Sequence, residues 1–98
     1  MDDKEVKSII EEYMKHIKEQ NIVLKVKGNF SINSTIKPDG NTLTIQLLMA
    51  HNSIEKVIEV EFKNNYYDIS GIFSTSINRK PCFSLKEAIY YVLNNILK

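Results

Sequence analysis

The sequence predicts an α+β fold: a two-layer sandwich in which a four-stranded antiparallel meander carries its amino-terminal and carboxy-terminal helices on one face. Three observations predict this fold. Apolar and polar side chains alternate through four segments, which is the two-residue period of half-buried strands. Apolar residues recur every three or four positions at both ends of the chain, which is the period of a helix. Turn-forming residues separate the alternating segments, and such short connections join neighbouring antiparallel strands.

The chain length of 98 residues predicts a single domain, residues 1–98. Folding at this size buries roughly 60 to 70% of the surface of the unfolded chain, which is enough for one modest core. Apolar residues make up 43% of the chain and charged residues 26%, as in ordinary globular proteins. We therefore expect the chain to fold without disulfides or bound metal.

The first helix is predicted from Asp3 to Glu19. Asp2 and Glu5 have capping-box spacing, and Asn21 suits the left-handed conformation in which many helices end. The apolar stripe of this helix contains Val6, Ile9, Ile10, Tyr13, Met14 and Ile17.

The first strand is predicted over Ile22–Ile36, because apolar residues occupy nearly every even position there. Gly28 in its interior predicts a bulge or bend, since a residue without a side chain weakens a regular strand. Pro38, Asp39 and Gly40 then predict a tight turn, with proline restricting φ and glycine supplying a positive φ.

The next three strands follow from the same alternation. Their inward-facing residues are predicted to be Leu43, Ile45, Leu47 and Met49, then Ile58, Val60 and Phe62, then Tyr67, Ile69 and Phe73. A turn at His51–Ser53 separates the first two of these strands, and Asn64–Asn65 separates the last two. We expect a positive φ at both asparagines of the second turn.

The segment Ser74–Phe83 is polar and contains Pro81, so we interpret it as the longest loop. Ser84 and Glu87 form a second capping box, which opens the last helix. The inner face of that helix is predicted to contain Leu85, Ala88, Ile89, Val92, Leu93 and Ile96. Both helices need an apolar surface, and one face of the sheet is consistently apolar, so both are expected on that face.

The opposite face of the sheet is the predicted interaction surface. The turn at Asn64–Asn65 pairs the last two strands so that Val57 lies opposite Ile72, Glu59 opposite Ser70 and Glu61 opposite Asp68. Leu48 is expected beside Val57. Leu48, Val57 and Ile72 would then form an apolar stripe on the face that no helix covers, and contiguous apolar patches of this kind mark binding sites. The alternative is that these are isolated apolar residues of an ordinary sheet surface.

Charges on this face are predicted to be divided between its two halves. Lys25, Lys27 and Lys37 would lie along the first strand, and the acidic half would contain Glu55, Glu59, Glu61 and Asp68. Such a division suits a protein of complementary charge, or a second copy related by a two-fold axis, better than it suits a phosphate backbone. The sequence therefore predicts a protein-binding module with a protein partner, or a homodimer, formed through the outer face.

Nucleic-acid or anion binding is the alternative function. The segment before the last helix brings Arg79 and Lys80 close to Ser84 and Lys86, and a helix amino terminus favours anions. Lys25 and Lys27 could add positive charge. A solvated loop with an ordinary helix cap explains the same residues.

Residue types that carry catalysis are sparse. Cys82 is the sole cysteine, and His16 and His51 are the two histidines, with no spacing typical of a metal site. Glu61 and Asp68 form a like-charge pair that could raise one carboxyl pKa or hold a hard cation, although water screens such pairs on an open sheet. We expect no enzymatic activity, no cofactor and no metal.

The net charge of +1 provides no general attraction to nucleic acid or anionic lipid. The continuous apolar runs are too short for a membrane span, and the acidic amino terminus lacks a signal-peptide hydrophobic region. A cytoplasmic location is therefore predicted. Lysine greatly outnumbers arginine, and isoleucine and asparagine are abundant, which indicates AT-rich coding and suggests an AT-rich bacterium, a phage or another mobile element.

Overall fold

The computed structural model describes residues 1–72 and 80–98, with the backbone alone at Ile72 and Lys80. These residues form an α+β architecture with a helix at each end and one antiparallel sheet, whose strand order along the sheet is the order along the chain. The elements are α1 (Asp3–Glu19), β1 (Ser31–Ile36), β2 (Thr42–Leu48), β3 (Ile54–Lys63), β4 (Tyr66–Ile72), β5 (Lys80–Cys82) and α2 (Leu85–Leu97).

The sheet has five strands, and not four as the sequence predicted. The additional strand, β5, lies within the predicted loop Ser74–Phe83 and pairs with β4, with Pro81 opposite Asp68. An edge strand tolerates proline, because an outward-facing N–H is not needed for the ladder. Three residues are too few to show an alternating pattern. Phe73 and the rest of that loop, residues 73–79, lie outside the described residues.

The core lies between the inner face of the sheet and the two helices. Leu43, Ile45, Ile58, Val60 and Ile69 are fully buried, which confirms the predicted assignment of the inner face. Phe62 is the exception at the end of β3, where 38% of its surface is exposed. The helices contribute to the same cluster Val6, Ile9, Ile10, Tyr13 and Ile17 from α1 and Leu85, Ala88, Ile89, Val92, Leu93, Ile96 and Leu97 from α2. These are the predicted stripes with two differences, since Leu97 is an addition and the predicted Met14 is only half-buried beside the cluster.

The residues before β1 do not belong to the sheet, so the predicted strand start at Ile22 is wrong. The alternation itself is real, because Ile22, Leu24 and Val26 pack against the core while the side chains between them are exposed. The backbone N–H of Lys25 donates a hydrogen bond to the carbonyl of Leu97, 2.8 Å away, at the end of α2. An extended segment that covers the end of a helix therefore has the same burial pattern as a strand.

The turns follow their local chemistry. Gly40 has a φ of 75°, and the Asp39 carboxylate accepts a hydrogen bond from the Asn41 N–H at 2.7 Å, so the predicted hairpin between β1 and β2 is confirmed. The turn between β3 and β4 differs from expectation in one respect. Asn64 has a positive φ of 45°, whereas Asn65 does not.

Candidate protein-binding face

The outer face of the sheet is the side away from both helices. Alternate residues along each strand contribute their side chains to this face. The register predicted for β3 and β4 is confirmed, with Val57 opposite Ile72, Glu59 opposite Ser70 and Glu61 opposite Asp68. Thr44 and Gln46 of β2 lie opposite Glu59 and Val57. Asn33 of β1 donates a side-chain hydrogen bond to Gln46, with 3.0 Å between Nδ2 and Oε1.

Most charges on this face are paired with one another. The Lys37 Nζ lies 3.0 Å from the Glu59 carboxylate. The Lys63 Nζ lies 3.4 Å from Glu61 and 3.3 Å from Asp68, so it bridges the two carboxylates that face each other across β3 and β4. The predicted division into a basic and an acidic half is therefore replaced by mixed pairs along the face.

The bridge by Lys63 changes the electrostatics of the Glu61–Asp68 pair. The hydrogen bond to Asp68 is the largest cause that raises the pKa of Lys63, and Glu61 raises it further. Asp68 is itself only 8% exposed. Because a cation lies between them, the two carboxylates do not act as an isolated like-charge pair.

Apolar side chains on the outer face lie together at the end of the sheet near the β2–β3 connection. The register shifts between Leu47 and Leu48, so that Leu48 lies opposite Ile54, and Gln46, instead of Leu48, lies opposite Val57. We call Leu48, Ile54 and Val57 the outer patch. Ile54 is 53% exposed, Leu48 is half-buried, and Val57 is only 4% exposed. The backbone of Ile72 completes the predicted row, but its side chain lies outside the described residues.

Burial of Val57 corrects its predicted role. The side chain belongs to the outer face, yet it is almost inaccessible, so the accessible apolar surface of the outer patch comes from Ile54 and Leu48. Ile54 is not part of the predicted stripe, because a β-bulge changes which residues share a face and leaves no simple alternating signal. The signal in the sequence that could have identified Ile54 is its apolar side chain at the start of β3, outside the alternating pattern of that strand.

Lys25 and Lys27 do not lie on the outer face, which contradicts the prediction. They line a depression of about 330 Å³ at the β2–β3 end of the inner layer, together with Leu47, Glu55 and Ile96. The Lys25 ammonium donates a hydrogen bond to the Asn95 carbonyl at 2.7 Å, near the negative end of the α2 dipole. Glu55, predicted among the outer acidic residues, also lies here.

The predicted anion site before α2 is not assembled by the residues that are described. Ser84 caps the helix, because its hydroxyl accepts a hydrogen bond from the Glu87 N–H at 3.0 Å. The Lys86 Nζ lies 2.8 Å from Glu12 on α1 and 5.4 Å from the centroid of the Tyr90 ring. This contact raises the pKa of Lys86 and lowers that of Glu12. Arg79 and the side chain of Lys80 lie outside the described residues.

The candidate catalytic side chains are separated from one another. Cys82 is fully buried in the core, whereas His16 is exposed on α1 and His51 is exposed in the short turn Ala50–Asn52 between β2 and β3. Over residues 1–72 and 80–98, no three histidine, cysteine, aspartate or glutamate side chains come close enough to hold a metal ion.

Neither α1 nor α2 has the length and apolar character needed to cross a lipid bilayer. No protein-family model, no curated protein and no solved structure matches this chain.

Proposed function

We propose that the protein is a non-enzymatic binding module for another protein, which docks on the outer sheet face over the outer patch. One observation carries this proposal. Both described helices pack on the inner face, while the opposite face presents Ile54, with 53% of its surface exposed, beside half-buried Leu48. Apolar side chains grouped on a sheet face that neither described helix covers, with polar residues around them, are typical of protein interfaces.

The charges around the outer patch support a protein partner over a nucleic acid. Lys37 and Lys63 are already paired with Glu59, Glu61 and Asp68, so the lysines have no surplus charge for phosphates. Phosphate-backbone binding depends on unneutralised lysine and arginine. A flat surface with mixed, internally paired charges fits a protein surface of similar polarity.

The arrangement of reactive groups supports a non-catalytic role. Catalysis by a nucleophile requires a base within hydrogen-bonding reach, and Cys82 is buried while both histidines are exposed on other elements. The small size and the lysine-, isoleucine- and asparagine-rich composition support a further proposal. In it, the protein is an inhibitor or adaptor encoded by a phage or another mobile element and acts in the cytoplasm.

Binding to the outer patch can be tested with two matched substitutions. Ile54→Asp places a charge in the patch, and Val23→Asp places the same charge at an apolar side chain that is 84% exposed and lies before β1. We expect affinity capture from the host lysate to recover the same protein with the wild type and with Val23→Asp, but not with Ile54→Asp. Titration of that purified protein should show at least about a tenfold loss of affinity for Ile54→Asp, since a central apolar contact contributes about 1–2 kcal/mol.

Salt dependence separates the two functional hypotheses. Binding through the outer patch should change little as ionic strength rises, whereas phosphate binding should weaken steeply.

The substitution test also has an outcome that contradicts the proposal. Equal capture by Ile54→Asp and the wild type, with both proteins folded by circular dichroism, would remove the outer patch as the binding site.

A further inference from the structure

The outward edge of β1 carries backbone N–H and C=O groups that are not hydrogen-bonded to another described strand. The N–H of Lys37 donates to the carbonyl of Thr42 at 2.8 Å, which continues the ladder in which Ile36 lies opposite Leu43. Hydrogen-bonded pairs alternate with non-hydrogen-bonded pairs in an antiparallel ladder. The odd-numbered residues of β1 therefore bond to β2, and Ile32, Ser34 and Ile36 direct their N–H and C=O groups away from the sheet. Among the described residues, these groups have no backbone partner.

The two edges of the sheet differ in their protection against strand pairing. The β5 edge is three residues long and contains Pro81, which has no N–H to donate. The β1 edge is six residues long, and its sequence, Ser-Ile-Asn-Ser-Thr-Ile, contains no charged residue or proline. Its pairing with β2 has no bulge. Proteins usually block exposed edges with such features, so β1 is the edge that is open to another strand.

We propose that β1 pairs antiparallel with β1 of a second copy of this chain, about a two-fold axis that passes midway between the two Ser34 residues. In this register Ser34 lies opposite its own equivalent, and Ile32 lies opposite Ile36 of the second copy. Each of the three outward-facing residues then exchanges N–H and C=O bonds with its opposite residue. The two sheets join into one continuous sheet, and both β1 edges are satisfied.

The side chains beside this edge fit a copy of themselves. Ile32 and Ile36 are half-buried and belong to the margin of the core, so cross-strand pairing would bury them further. A groove of about 240 Å³ separates β1 from α1 and is lined by Lys7, Ile10 and Glu11 on the helix side. In this dimer the two-fold axis places the two copies of α1 antiparallel to each other, so that Lys7 of each copy faces Glu11 of the other.

This charge pattern favours a second copy over an unrelated strand. A two-fold interface is self-complementary, so each surface must carry both members of every contact. Glu11 has no ion pair within the described chain, and Lys7 has an exposed one to Asp3 at 3.0 Å. The proposal concerns the sheet edge and does not depend on the outer patch, which remains accessible on both copies.

The oligomeric state tests the proposal. Size-exclusion chromatography with light scattering should give twice the 11.4 kDa mass of the chain for the wild type at high concentration. Ser34→Pro removes an N–H that points to the partner and should give the single-chain mass, because proline on an edge strand leaves the β2 ladder intact. Ser34→Ala keeps the N–H and should remain dimeric.

A second pair of variants covers the case in which Ser34→Pro does not fold. Lys7→Glu brings like charges together across the axis and should raise the dissociation constant by about tenfold, as expected for close interfacial charges. Adding Glu11→Lys restores opposite charges and should restore dimerisation. Lys7 and Glu11 also lie four residues apart on α1, where their charges affect helix stability within one chain. Circular dichroism of the monomers should therefore give the same helix content for the wild type and both variants, and a loss of helix in Lys7→Glu that Glu11→Lys reverses would overturn this interface.

Amide hydrogen exchange tests the register. The N–H groups of Ile32, Ser34 and Ile36 should exchange at least about tenfold faster after dilution to the monomer, because their partners are then lost. The N–H groups of Asn33 and Thr35 bond to β2 and should be unaffected. A single-chain mass for the wild type at millimolar concentration, a folded Ser34→Pro dimer, or equal exchange of the two sets would overturn the proposal.

Discussion

Tyr13 links the two helices through a buried side chain. Its hydroxyl donates a hydrogen bond to the side-chain oxygen of Asn94, 2.7 Å away on α2, and only 1% of its surface is exposed. The ring also meets Tyr90 edge-on, with 5.1 Å between the centroids. Its spacing on α1 predicted burial, whereas the hydrogen bond depends on the approach of α2, which local sequence does not specify.

Replacing Tyr13 by phenylalanine should lower the free energy of unfolding by about 1 kcal/mol, because the ring stays packed while one hydrogen bond is lost. Urea denaturation measures this change. In a double-mutant cycle with Asn94→Ala, the two substitutions should cost less together than the sum of their separate effects. Full additivity would contradict a direct contact in solution.

The same substitution should change stability at alkaline pH. Burial raises the pKa of Tyr13, and the neighbouring Tyr90 raises it further. The unfolded chain ionises this phenol first, so its stabilising contribution is complete below about pH 10 and is lost as the pH rises through the higher pKa of the folded state. Tyr13→Phe should therefore show a shallower loss of stability above pH 10. The pKa values of Tyr67 and Tyr90 are also raised, and both tyrosines remain in the two proteins as a common background.

The hairpin of β3 and β4 shows how far an element follows from local chemistry. Two asparagines predicted its length, and the strand register followed, because a two-residue turn determines which residues lie opposite each other. Their conformations are unequal, since Asn64 has a positive φ and Asn65 does not. Sequence alone does not distinguish turns that need one left-handed residue from turns that need two.

This inequality leads to a prediction for the turn. Asn64→Ala should lower the free energy of unfolding by about 1 kcal/mol, because alanine is strained at positive φ. Asn65→Ala should change it by less than about 0.5 kcal/mol, which is usual for an exposed position. Thermal or urea denaturation of the two variants provides the comparison. Equal costs would contradict a left-handed conformation confined to Asn64.

The first strand shows the limit of pattern analysis at the level of elements. The alternation over Ile22–Ile36 predicts one strand, but β1 begins at Ser31. Alternating burial reports which side chains face the core and does not report backbone pairing. The segment before Ser31 bonds to the end of α2 through Lys25, a contact between distant parts of the chain.

The whole molecule depends on which face of the sheet the helices cover. Leu47 and Leu48 are neighbours in sequence but lie on opposite faces, with Leu47 only 1% exposed beneath the helices and Leu48 half-buried on the outer side. Their different environments decide their contributions to stability. They form a natural matched pair, because the same chemical change can be made at both.

Leu47→Ala should lower the free energy of unfolding by about 2–5 kcal/mol, since it removes a large side chain from the closed core. Leu48→Ala should cost less than about 1.5 kcal/mol, because the solvent-facing side leaves a smaller cavity. Denaturation midpoints of the two variants measure the difference. A larger loss for Leu48→Ala would contradict the assignment of the two faces.

The two proposed surfaces occupy different parts of the molecule. The outer patch lies on the face of the sheet at the β2–β3 end, whereas the self-pairing edge is the outward side of β1. Ile54→Asp should therefore leave the dimer intact, and Ser34→Pro should leave the outer patch accessible. The two proposals can fail or hold independently.

Local sequence determined the parts of this protein that depend on neighbours a few residues apart. These are both helices with their caps, the inner-facing positions of β2 and β3, the hairpin turns, and the register of Val57 with Ile72. Tertiary structure decided the features that need distant segments to meet. They include the bulge that sets Leu48 opposite Ile54, the pairing of β5 with β4, the lysine bridge between Glu61 and Asp68, and the contact of Lys86 with Glu12. The physical reason is that periodicity and turn chemistry record local geometry and solvent exposure, while partners across the fold are chosen by the packing of the whole chain.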